Sequence, residues 1–363
     1  MIAEFDKIIS FDSLYKAHRR ARLGKRGKKE VVNFEINLSQ NLWALHYDLK
    51  YGNYELGEYH KFMIYDPKER EIQAISYRDR IVQHSVCDNY LIPLLEKRLI
   101  YHNVACRKKK GTSLAIKSLK KFMTEHFAKM GQRGYFVKID IKKFFNSIDH
   151  AVLKEKIKAL GVPQDVYALL EKIIDSYCFS SGKGLPMGNQ SSQCFALLYL
   201  DRVDRFIKEK LRIYHYIRYM DDMILISEKK SGAEKRLKEI SREIELEKLE
   251  LNKKSQIIAF KNGINFLGRR FYVSSSGEII QKLSFSTKKR IEKKIKGNII
   301  KYGSTDFGRK KLELSFISYQ GLTGVSKSFL RKRFFSSQNS KESLPAQRGM
   351  SVKNNPNYGL TEF

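Results

Sequence analysis

Two short β-prone stretches of the sequence lead directly into aspartates. Asp140 follows the run Tyr135–Ile139, and the pair Asp221-Asp222 separates two further runs, Tyr214 to Met220 and Met223 to Ser227. Aspartate is common in turns, where it is usually solvated, so each acid alone says little about function. These acids have apolar neighbours, however, and clustered anions in such surroundings are costly unless a cation neutralises them.

Two-metal phosphoryl transfer is the chemistry that requires such carboxylates. In that reaction, carboxylates from two elements hold two divalent ions about 3.5 to 4 Å apart, one activating the attacking hydroxyl and the other stabilising the leaving oxygen. No His or Cys cluster accompanies the acids, and hard oxygen ligands favour Mg²⁺ over zinc. We therefore predict two Mg²⁺ ions, for which Mn²⁺ can substitute, at Asp140, Asp221 and Asp222.

The composition indicates a polyanionic partner. The chain has 363 residues, with 70 Lys plus Arg against 39 Asp plus Glu and a net charge of +31. Its 42% hydrophobic and 12% aromatic content excludes disorder for most of the chain. Apolar stretches are far shorter than the roughly 20 residues that cross a bilayer, and no signal peptide is apparent. We expect a soluble, cytoplasmic protein that binds nucleic acid rather than a membrane.

The hydrophobic pattern predicts the elements that position the acids. The first 60 residues favour helices, Tyr59 to Ile75 favours two strands joined by a turn, and the acids 221 and 222 form the tip of a hairpin. A long helix is predicted from about Ser191 to Leu211, and a single β-prone run from Ile264 to Val273. The remaining predicted elements are helices at Asp79 to Leu99, Thr112 to Met130 and Leu237 to Ile244, a strand at Gln256 to Phe260, and a helix capped by Ser286 or Thr287 with Ile291, Ile295 and Ile299 on its apolar face.

The hairpin Tyr219-Met-Asp-Asp222 resembles the signature of reverse transcriptases, and further blocks follow in that family's order. The resemblance covers roughly residues 12 to 335. Its blocks are Arg70 to His84 and Ala105 to Gly111, similar to fingers motifs; Asp140 to Phe145, similar to the first catalytic motif; Gly184 to Gln193, similar to the loop and helix that face template and nucleotide; Leu251 to Lys254, similar to the motif that carries a lysine; and Asn265 to Gly268, similar to the primer grip.

This resemblance implies an α+β right-hand polymerase fold with fingers, a palm whose antiparallel sheet is backed by helices, and a helical thumb. The implied organisation places N-terminal helices and fingers at 1–134 and the palm at 135–283, with a fingers-proximal helical insertion at about 150–180. The thumb then occupies 284–335. Residues 336–363, which are rich in Ser, Asn and Gln, are predicted to be a flexible tail.

The resemblance also implies the catalytic residues. Asp140 and Asp221 correspond to the principal metal ligands, Asp222 to a supporting acid, and the backbone carbonyl of Ile141 to a further ligand. Lys254 corresponds to the general acid that protonates pyrophosphate.

Further positions correspond to groups that bind the substrates. Lys68 and Arg70 match the cations that bind the incoming dNTP, and Phe145 matches the bulky ring that excludes a ribose 2′-hydroxyl. Gln193 corresponds to a position next to the templating base pair, where selection of the incoming dNTP takes place. Lys68, Arg70 and Arg107 are also compatible with ordinary solvated charges, and Phe145 with a core aromatic. The implied contacts to template and primer are Arg107, Gly188, Asn189, Tyr219, Phe266, Leu267, Gly268, Lys289 and Lys293.

The loop Gly188-Asn-Gln-Ser-Ser-Gln193 narrows the resemblance to the reverse transcriptases of diversity-generating retroelements. Intron-type and retron-type enzymes usually have Gln before this glycine and Ser-Pro at the end of the loop, whereas Met187 precedes Gly188 here and Ser192-Gln193 ends the loop. Such enzymes copy a template RNA with errors opposite adenines, and the cDNA replaces a repeat in a target gene.

The partners implied are template RNA, the RNA/DNA duplex, dNTPs, a structured noncoding RNA and a small basic accessory protein. Two alternatives remain open. One is an antiphage-defence reverse transcriptase that uses a structured noncoding RNA. The other is a non-catalytic RNA-binding protein, against which the intact acids Asp140, Asp221 and Asp222 argue.

Overall fold

The computed structural model describes residues 3–65, 69–177, 179–302, 310, 313–315 and 317. The chain divides into two compact units. One comprises Met1–Ile264 with Tyr272–Ile279, and the other Asn265–Phe271 with Ile280–Phe363. The predicted domain boundaries at 134, 283 and 335 stay predictions, and the predicted tail at 336–363 lies outside the described residues.

The N-terminal part of the first unit is mainly helical. A β-hairpin, β1 with β2, interrupts the helices at the predicted place. The elements are α1 (Glu4–Ile9), α2 (Phe11–Ala21), α3 (Lys29–Ile36), α4 (Leu38–Lys50), β1 (His60–Ile64), β2 (Arg70–Ala74), α5 (Tyr77–Val86), a π-helical turn (Cys87–Leu91), α6 (Ile92–Arg98) and α7 (Thr112–Met130).

Helix α4 has an apolar inner face and an aromatic outer face. Leu42, Leu45 and Leu49, spaced three and four residues apart, are buried in the core. On the other side Trp43, Tyr47 and Tyr51 are 44%, 49% and 65% exposed. Ring centroids in this series are 5.9 Å apart between Trp43 and Tyr47 and 6.2 Å apart between Tyr47 and Tyr51, with both pairs stacked.

The rest of the first unit is built on a four-stranded sheet in the order β4-β5-β3-β6, in which every neighbouring pair is antiparallel. Helix α13 packs against β3 and β5. The elements are β3 (Tyr135–Ile139), α8 (Phe144–Ser147), α9 (His150–Lys158), α10 (Gln164–Asp175), α11 (Gln190–Tyr199), α12 (Asp201–Arg205), a π-helical turn (Phe206–Lys210), β4 (Tyr216–Tyr219), β5 (Asp222–Ser227), α13 (Lys230–Leu246), β6 (Gln256–Ala259) and a 3₁₀ turn (Phe260–Asn262).

A three-stranded sheet and one long helix complete the fold. The sheet has the order β7-β8-β9. Its strands are β7 (Ile264–Phe266), β8 (Arg269–Val273) and β9 (Ile279–Leu283), and they are followed by α14 (Phe285–Tyr302). The Ser284 hydroxyl, rather than Ser286 or Thr287, accepts from the Thr287 amide at the start of α14. Ile291 and Ile295 are buried as predicted, whereas the side chain of Ile299 lies outside the description.

The structure also corrects the bounds of two further predicted elements. The run Ile264 to Val273 is two strands, because Leu267 and Gly268 adopt φ of 48° and 74° and form a turn; strand β9 was not predicted. The helix predicted over Ser191 to Leu211 is divided into α11, α12 and a π-helical turn. The fold class, with mixed helices and antiparallel sheets, is confirmed. Within the described ranges no helix has the length and apolar content to span a bilayer.

Candidate active site

The predicted catalytic acids meet at one edge of the central sheet. Strands β3 and β5 are neighbours, and Ile139 pairs with Met223. Asp140 directly follows Ile139, and Asp222 directly precedes Met223. Asp140 and Asp222 therefore lie side by side at the same end of these two strands. Asp222 also pairs with Tyr219 across the β4–β5 hairpin, so the two-residue tip is Met220-Asp221 and not the predicted pair Asp221-Asp222, because Asp222 already belongs to β5.

The environment of Asp222 opposes its negative charge. Desolvation raises the pKa of Asp222 to about 6, the Lys138 ammonium acts in the opposite direction, and the charges of Asp140 and Asp221 raise the pKa further. Lys138 Nζ lies 3.3 Å from Asp222 Oδ2. Three acids thus share one partly desolvated region in which a bound cation would favour their ionised forms.

The donor set fits a hard divalent cation. Carboxylate oxygens are the ligands that Mg²⁺ prefers, and Asp222 Oδ1 is buried without a hydrogen-bond partner among the described residues. As they stand, no three His, Cys, Asp or Glu side chains in the described part of the chain lie close enough together to hold an ion. The residues that would hold the metal are Asp140, Asp221 and Asp222. A ligand role for the carbonyl of buried Ile141 stays a prediction.

The hairpin tip is supported by a buried ion pair that sequence reasoning missed. Met220 has φ of 54°, a conformation that is strained for a residue with a long side chain. Arg218 Nη1 donates to the Met220 carbonyl at 3.0 Å, and Nε and Nη2 donate to the two oxygens of Asp204 at 2.8 and 2.7 Å. Both side chains are fully buried. An arginine within the β-prone run that leads into the hairpin, two residues before Met220 of the tip, was the available sequence signal.

The lysine motif lies directly beside Asp140. The Asn252 amide donates to the Asp140 carbonyl at 2.7 Å, and the Ser255 hydroxyl bonds to both the amide and the carbonyl of Asp140 at 3.1 Å. Lys254 is exposed, and its amide donates to Asn252 Oδ1 at 3.2 Å. Lys254 therefore belongs to the segment next to the acids, and its role as general acid stays a prediction.

The loop from Gly184 to Gln193, which is predicted to face template and nucleotide, begins against Phe145. The Leu185 amide donates to the Phe145 carbonyl at 2.8 Å, and the half-buried Phe145 ring lies edge-on to Phe144 with centroids 5.7 Å apart. Gly184 has φ of 107°, and a Cβ there would be 2.6 Å from Phe179 Cβ, so glycine is required at this close approach. Phe145 and the loop are thus held together by backbone contacts.

The remaining predicted contacts are distributed over both units. Gly188 is exposed, Asn189 is buried and Gln193 and Tyr219 are half-buried in the first unit, whereas Lys289 and Lys293 are exposed on α14 in the second. Phe266 is buried and the adjacent pair Leu267-Gly268 forms the turn between β7 and β8. Lys68 and the side chain of Arg70 lie outside the described residues, although Arg70 begins β2.

The environment of Arg107 differs from that of a template contact. Its side chain is 4% exposed, and its guanidinium donates to Glu96 and to two backbone carbonyls. These partners favour a structural role. Template binding by Arg107 stays a prediction that its surroundings do not support.

Comparison with known proteins assigns the chain to a family. A family profile described as reverse transcriptase (RNA-dependent DNA polymerase) matches residues 66–271, which is more than half of the chain and includes all three acids. The chain belongs to the reverse transcriptase family. This membership confirms the predicted enzyme class, an RNA-directed DNA polymerase, and the right-hand polymerase fold. No match was found among curated proteins.

Solved telomerase structures are similar to parts of the chain. Apo telomerase from Candida tropicalis, truncated from its C-terminal domain, is 16% identical with a TM-score of 0.47, and the match covers 67% of this chain and 60% of that chain. Telomerase from Candida albicans in complex with a TWJ fragment of telomeric RNA is 14% identical with a TM-score of 0.48, covering 85% and 62%. The chain thus spans less than two thirds of either telomerase chain.

Proposed function

We propose that this protein copies an RNA template into DNA at the site formed by Asp140, Asp221 and Asp222. The observation that carries the proposal is that Asp140 and Asp222 lie at adjacent strand ends of β3 and β5, with Asp221 next to them in the tip of the β4–β5 hairpin. Divalent ions bound there would supply the positive charge that the reaction needs at the attacking and leaving oxygens. The net charge of +31 fits a nucleic-acid substrate.

The chain's own residues have distinct tasks in this reaction. The primer 3′-hydroxyl attacks the α-phosphate of the dNTP, a new P–O bond forms, and the bond to pyrophosphate breaks. Asp140, which follows β3, and Asp221, in the tip of the β4–β5 hairpin, would hold the divalent ions. Arg70 and Lys68 neutralise the triphosphate, and Lys254 protonates the pyrophosphate as it leaves. Phe145 selects a deoxyribose by its bulk.

Replacing Asp221 by Asn tests the proposal. We expect Mg²⁺-dependent incorporation of dNTPs on a primed RNA template to be abolished while RNA binding is retained. The matched control is Glu250→Gln, since Glu250 is exposed and pairs with Lys142 near Asp140; its activity should stay within about twofold of the wild type. Full activity of Asp221→Asn would refute the assignment of the site.

We further propose that the protein is a reverse transcriptase of the diversity-generating retroelement type, which makes errors opposite template adenines. The supporting feature is the loop from Gly188 to Gln193, which ends in Ser-Gln where related enzymes have Ser-Pro. Gln190 Nε2 donates to Asp88 at 3.0 Å, and Gln193 follows in the first turns of α11. The partners of this proposal are a template-repeat RNA, a structured noncoding RNA and a small basic accessory protein.

Sequencing of cDNA tests this finer proposal. Gln193→Pro, or a change at Gln190, should lower the error rate opposite template adenines, and the error rates opposite the other three bases serve as an internal control. An unchanged adenine error rate would contradict it.

The alternative is an antiphage-defence reverse transcriptase that uses an associated structured RNA, since such enzymes share the catalytic motifs. A near-repeat pair differing at adenines in the flanking DNA favours the first proposal, and the absence of such a pair favours the second.

A further inference from the structure

A polar cavity of about 400 Å³ lies in the first unit, at the end of the central sheet opposite to the acids. Ser227 of β5, which lines the cavity, pairs with Tyr135 at one end of β3. Asp140 follows the other end of that strand, about 16 Å further along. The volume lies within the range of about 300 to 1,000 Å³ that is typical of small-ligand sites.

The walls of the cavity come from four segments of the chain. They are the last turns of α7, residues 212–215 before β4, the end of β5 with the turn that follows, and the first turns of α13. None of these segments contains a residue that the sequence predicts to contact template or nucleotide. The cavity is therefore a place separate from the catalytic cleft.

Basic side chains outnumber acidic ones in the walls. Four of them line the cavity, namely Lys129, Arg212, Lys229 and Arg236. Two acids line it as well, and each already has a basic partner. Glu228 binds Lys129 at 2.7 Å, whereas Glu125 lies 3.0 Å from His215 Nε2 and 3.7 Å from Lys121 Nζ. The remaining basic groups thus have no acid of the cavity left to pair with.

Three of these cations can meet a ligand. Within the described ranges, Arg212 and Lys229 form no ion pair, and Arg236 donates to the Ile226 carbonyl at 3.4 Å. The pKa of Glu228 is lowered mainly by its hydrogen bond to Lys129, and the charge of Arg236 contributes least. Arg212 also has φ of 53°, which is uncommon for a residue with a side chain. Such conformations are concentrated at functional sites.

The first turn of α13 adds positive potential to that of the cations. The helix has 17 residues, and the side chain of Lys229, its N-cap residue, makes no capping hydrogen bond. Gly232 of this turn lines the cavity. Because the amino end of a helix carries partial positive charge, it favours an anion. A phosphate is thus the ligand that the charge of the walls favours.

An exposed aromatic ring lies in the same walls. Tyr214 lines the cavity and is 59% exposed. Its ring is held by neighbours, since the buried Phe122 ring lies edge-on with centroids 6.0 Å apart and Lys208 Nζ lies 5.4 Å from the Tyr214 centroid. A fixed, exposed ring of this kind offers a stacking surface to a nucleobase.

We propose that this cavity binds a nucleoside phosphate, with the phosphate against Arg212, Lys229 and Arg236 and the base stacked on Tyr214. Cations for a phosphate and an aromatic ring for a base are the two recognition elements that such a ligand requires. An RNA strand that passes outside the catalytic cleft and a free nucleotide offer the same chemistry, and the experiment separates these two sources. The proposal does not depend on the role of the catalytic acids.

Photolabelling locates the site directly. The full chain is irradiated in EDTA with an ATP that carries a photoreactive azide on its base or, separately, with a single-stranded RNA that contains one such base. Peptide mass spectrometry then maps the adduct. We expect an adduct at or next to Tyr214, and the probe that labels at the lower concentration identifies the source. Absence of an adduct from the walls of the cavity with both probes would overturn the proposal.

Replacing two of the cations tests how the phosphate is held. Arg212→Gln/Arg236→Gln should lower the yield of this adduct at subsaturating probe by at least about tenfold, because each charge-assisted hydrogen bond contributes on that order to binding. The matched control Lys235→Gln/Lys238→Gln removes two exposed cations of α13 that do not line the cavity, and its yield should be unchanged. A wild-type yield in Arg212→Gln/Arg236→Gln would contradict the proposal.

A second variant guards against misfolding. Lys229 is exposed, so Lys229→Glu should keep the melting temperature of the wild type. Its reversed charge should repel the phosphate and lower the adduct yield, whereas Lys235→Glu, which places the same charge outside the cavity, should not. Equal labelling of these two variants counts against a phosphate in the cavity.

The outcomes are separable from failure of the proposed function. The cavity variants retain Asp140, Asp221 and Asp222, so their extension of a short primed RNA template should remain near the wild-type rate. Lost labelling with normal extension supports the cavity. If the wild-type protein is labelled at the cavity but extends no primer, the catalytic proposal fails and the cavity proposal stands.

Discussion

The guanidinium of Arg107 donates to both carboxylate oxygens of Glu96, at 2.8 Å from Nε and 2.7 Å from Nη2. Its remaining nitrogen, Nη1, donates to the carbonyls of Ile100 and Asn103 at 2.7 and 2.8 Å. The Arg107 hydrogen bond holds the pKa of Glu96 below its usual value. One side chain thereby ties the loop after α6 to the last turn of that helix.

Arg107→Ala should therefore destabilise the protein without altering contacts to phosphate. We expect a loss of about 2 to 4 kcal/mol in the free energy of unfolding, measured with denaturant, because Glu96 and two carbonyls lose their donor. At temperatures where the variant is folded, the salt slope of RNA binding, which is the slope of log K against log salt, should match that of the wild type. The exposed neighbour Lys108→Ala is the control. If Arg107→Ala has wild-type stability and a lower salt slope of RNA binding, Arg107 contacts the template after all.

The buried pair of Arg218 and Asp204 should control catalysis through the position of the hairpin. Arg218→Lys retains the charge but loses the forked contacts to Asp204 and the Met220 carbonyl, so kcat should fall by on the order of 100-fold while KM for dNTP changes little. If Arg218 positions the hairpin, we expect Arg218→Lys to raise the Mg²⁺ concentration needed for half-maximal activity. A purely structural defect would instead lower the active fraction and leave that concentration unchanged.

Asp201→Asn provides the matched control for that prediction. Asp201 is also a buried acid of α12 and pairs with Arg98 and Arg205, but within the described part of the chain no hydrogen bond connects its side chain to the hairpin. Its replacement should lower stability and leave the Mg²⁺ dependence unchanged. Equal Mg²⁺ dependence in Arg218→Lys and Asp201→Asn would contradict a positioning role.

Asp222→Asn should stabilise the metal-free protein while reducing activity. The folded pKa of about 6 lies above the usual 3.8, so the folded state binds more protons than the unfolded state between these values and stability falls as pH rises through this window. Above pH 6 the full penalty of the buried charge applies, and removing it should add about 1 to 3 kcal/mol. In EDTA, the gain in melting temperature should be largest above pH 6 and disappear towards pH 4. A gain independent of pH would contradict this explanation.

Phe145→Ala should relax the choice of sugar. Shortening the half-buried ring opens space where the resemblance places the ribose 2′-hydroxyl, so selectivity for dNTP over rNTP should fall by on the order of 100-fold. Primer extension with each nucleotide type measures it. Phe145→Tyr, which retains the ring, should keep most of the selectivity. Unchanged selectivity in Phe145→Ala would assign the ring to the core alone.

Local sequence patterns predicted most helices and strands, but they could not predict which side chains from separate elements form pairs. The helix Thr112–Met130 has the predicted bounds, because Gly111 and Gly131 flank a periodic apolar pattern, and the two-residue spacing between β-prone runs predicted the hairpin of Asp221. Arg218 could not be paired with Asp204 in this way, since the two lie on different elements. The turn at Leu267 was missed because β-prone residues stand on both sides of it, although Gly268 was an available turn signal.

The aromatic face of α4 gives the protein an optical label of its own. Trp43 is the single tryptophan of the chain, and Tyr47 stacks on it within a distance that allows excitation to pass from tyrosine to tryptophan. Tryptophan fluorescence excited selectively at the indole therefore reports on one helix of the N-terminal region and not on the sheet that carries the acids. Loosening of that helix can be timed against loss of the rest of the fold in a single unlabelled sample.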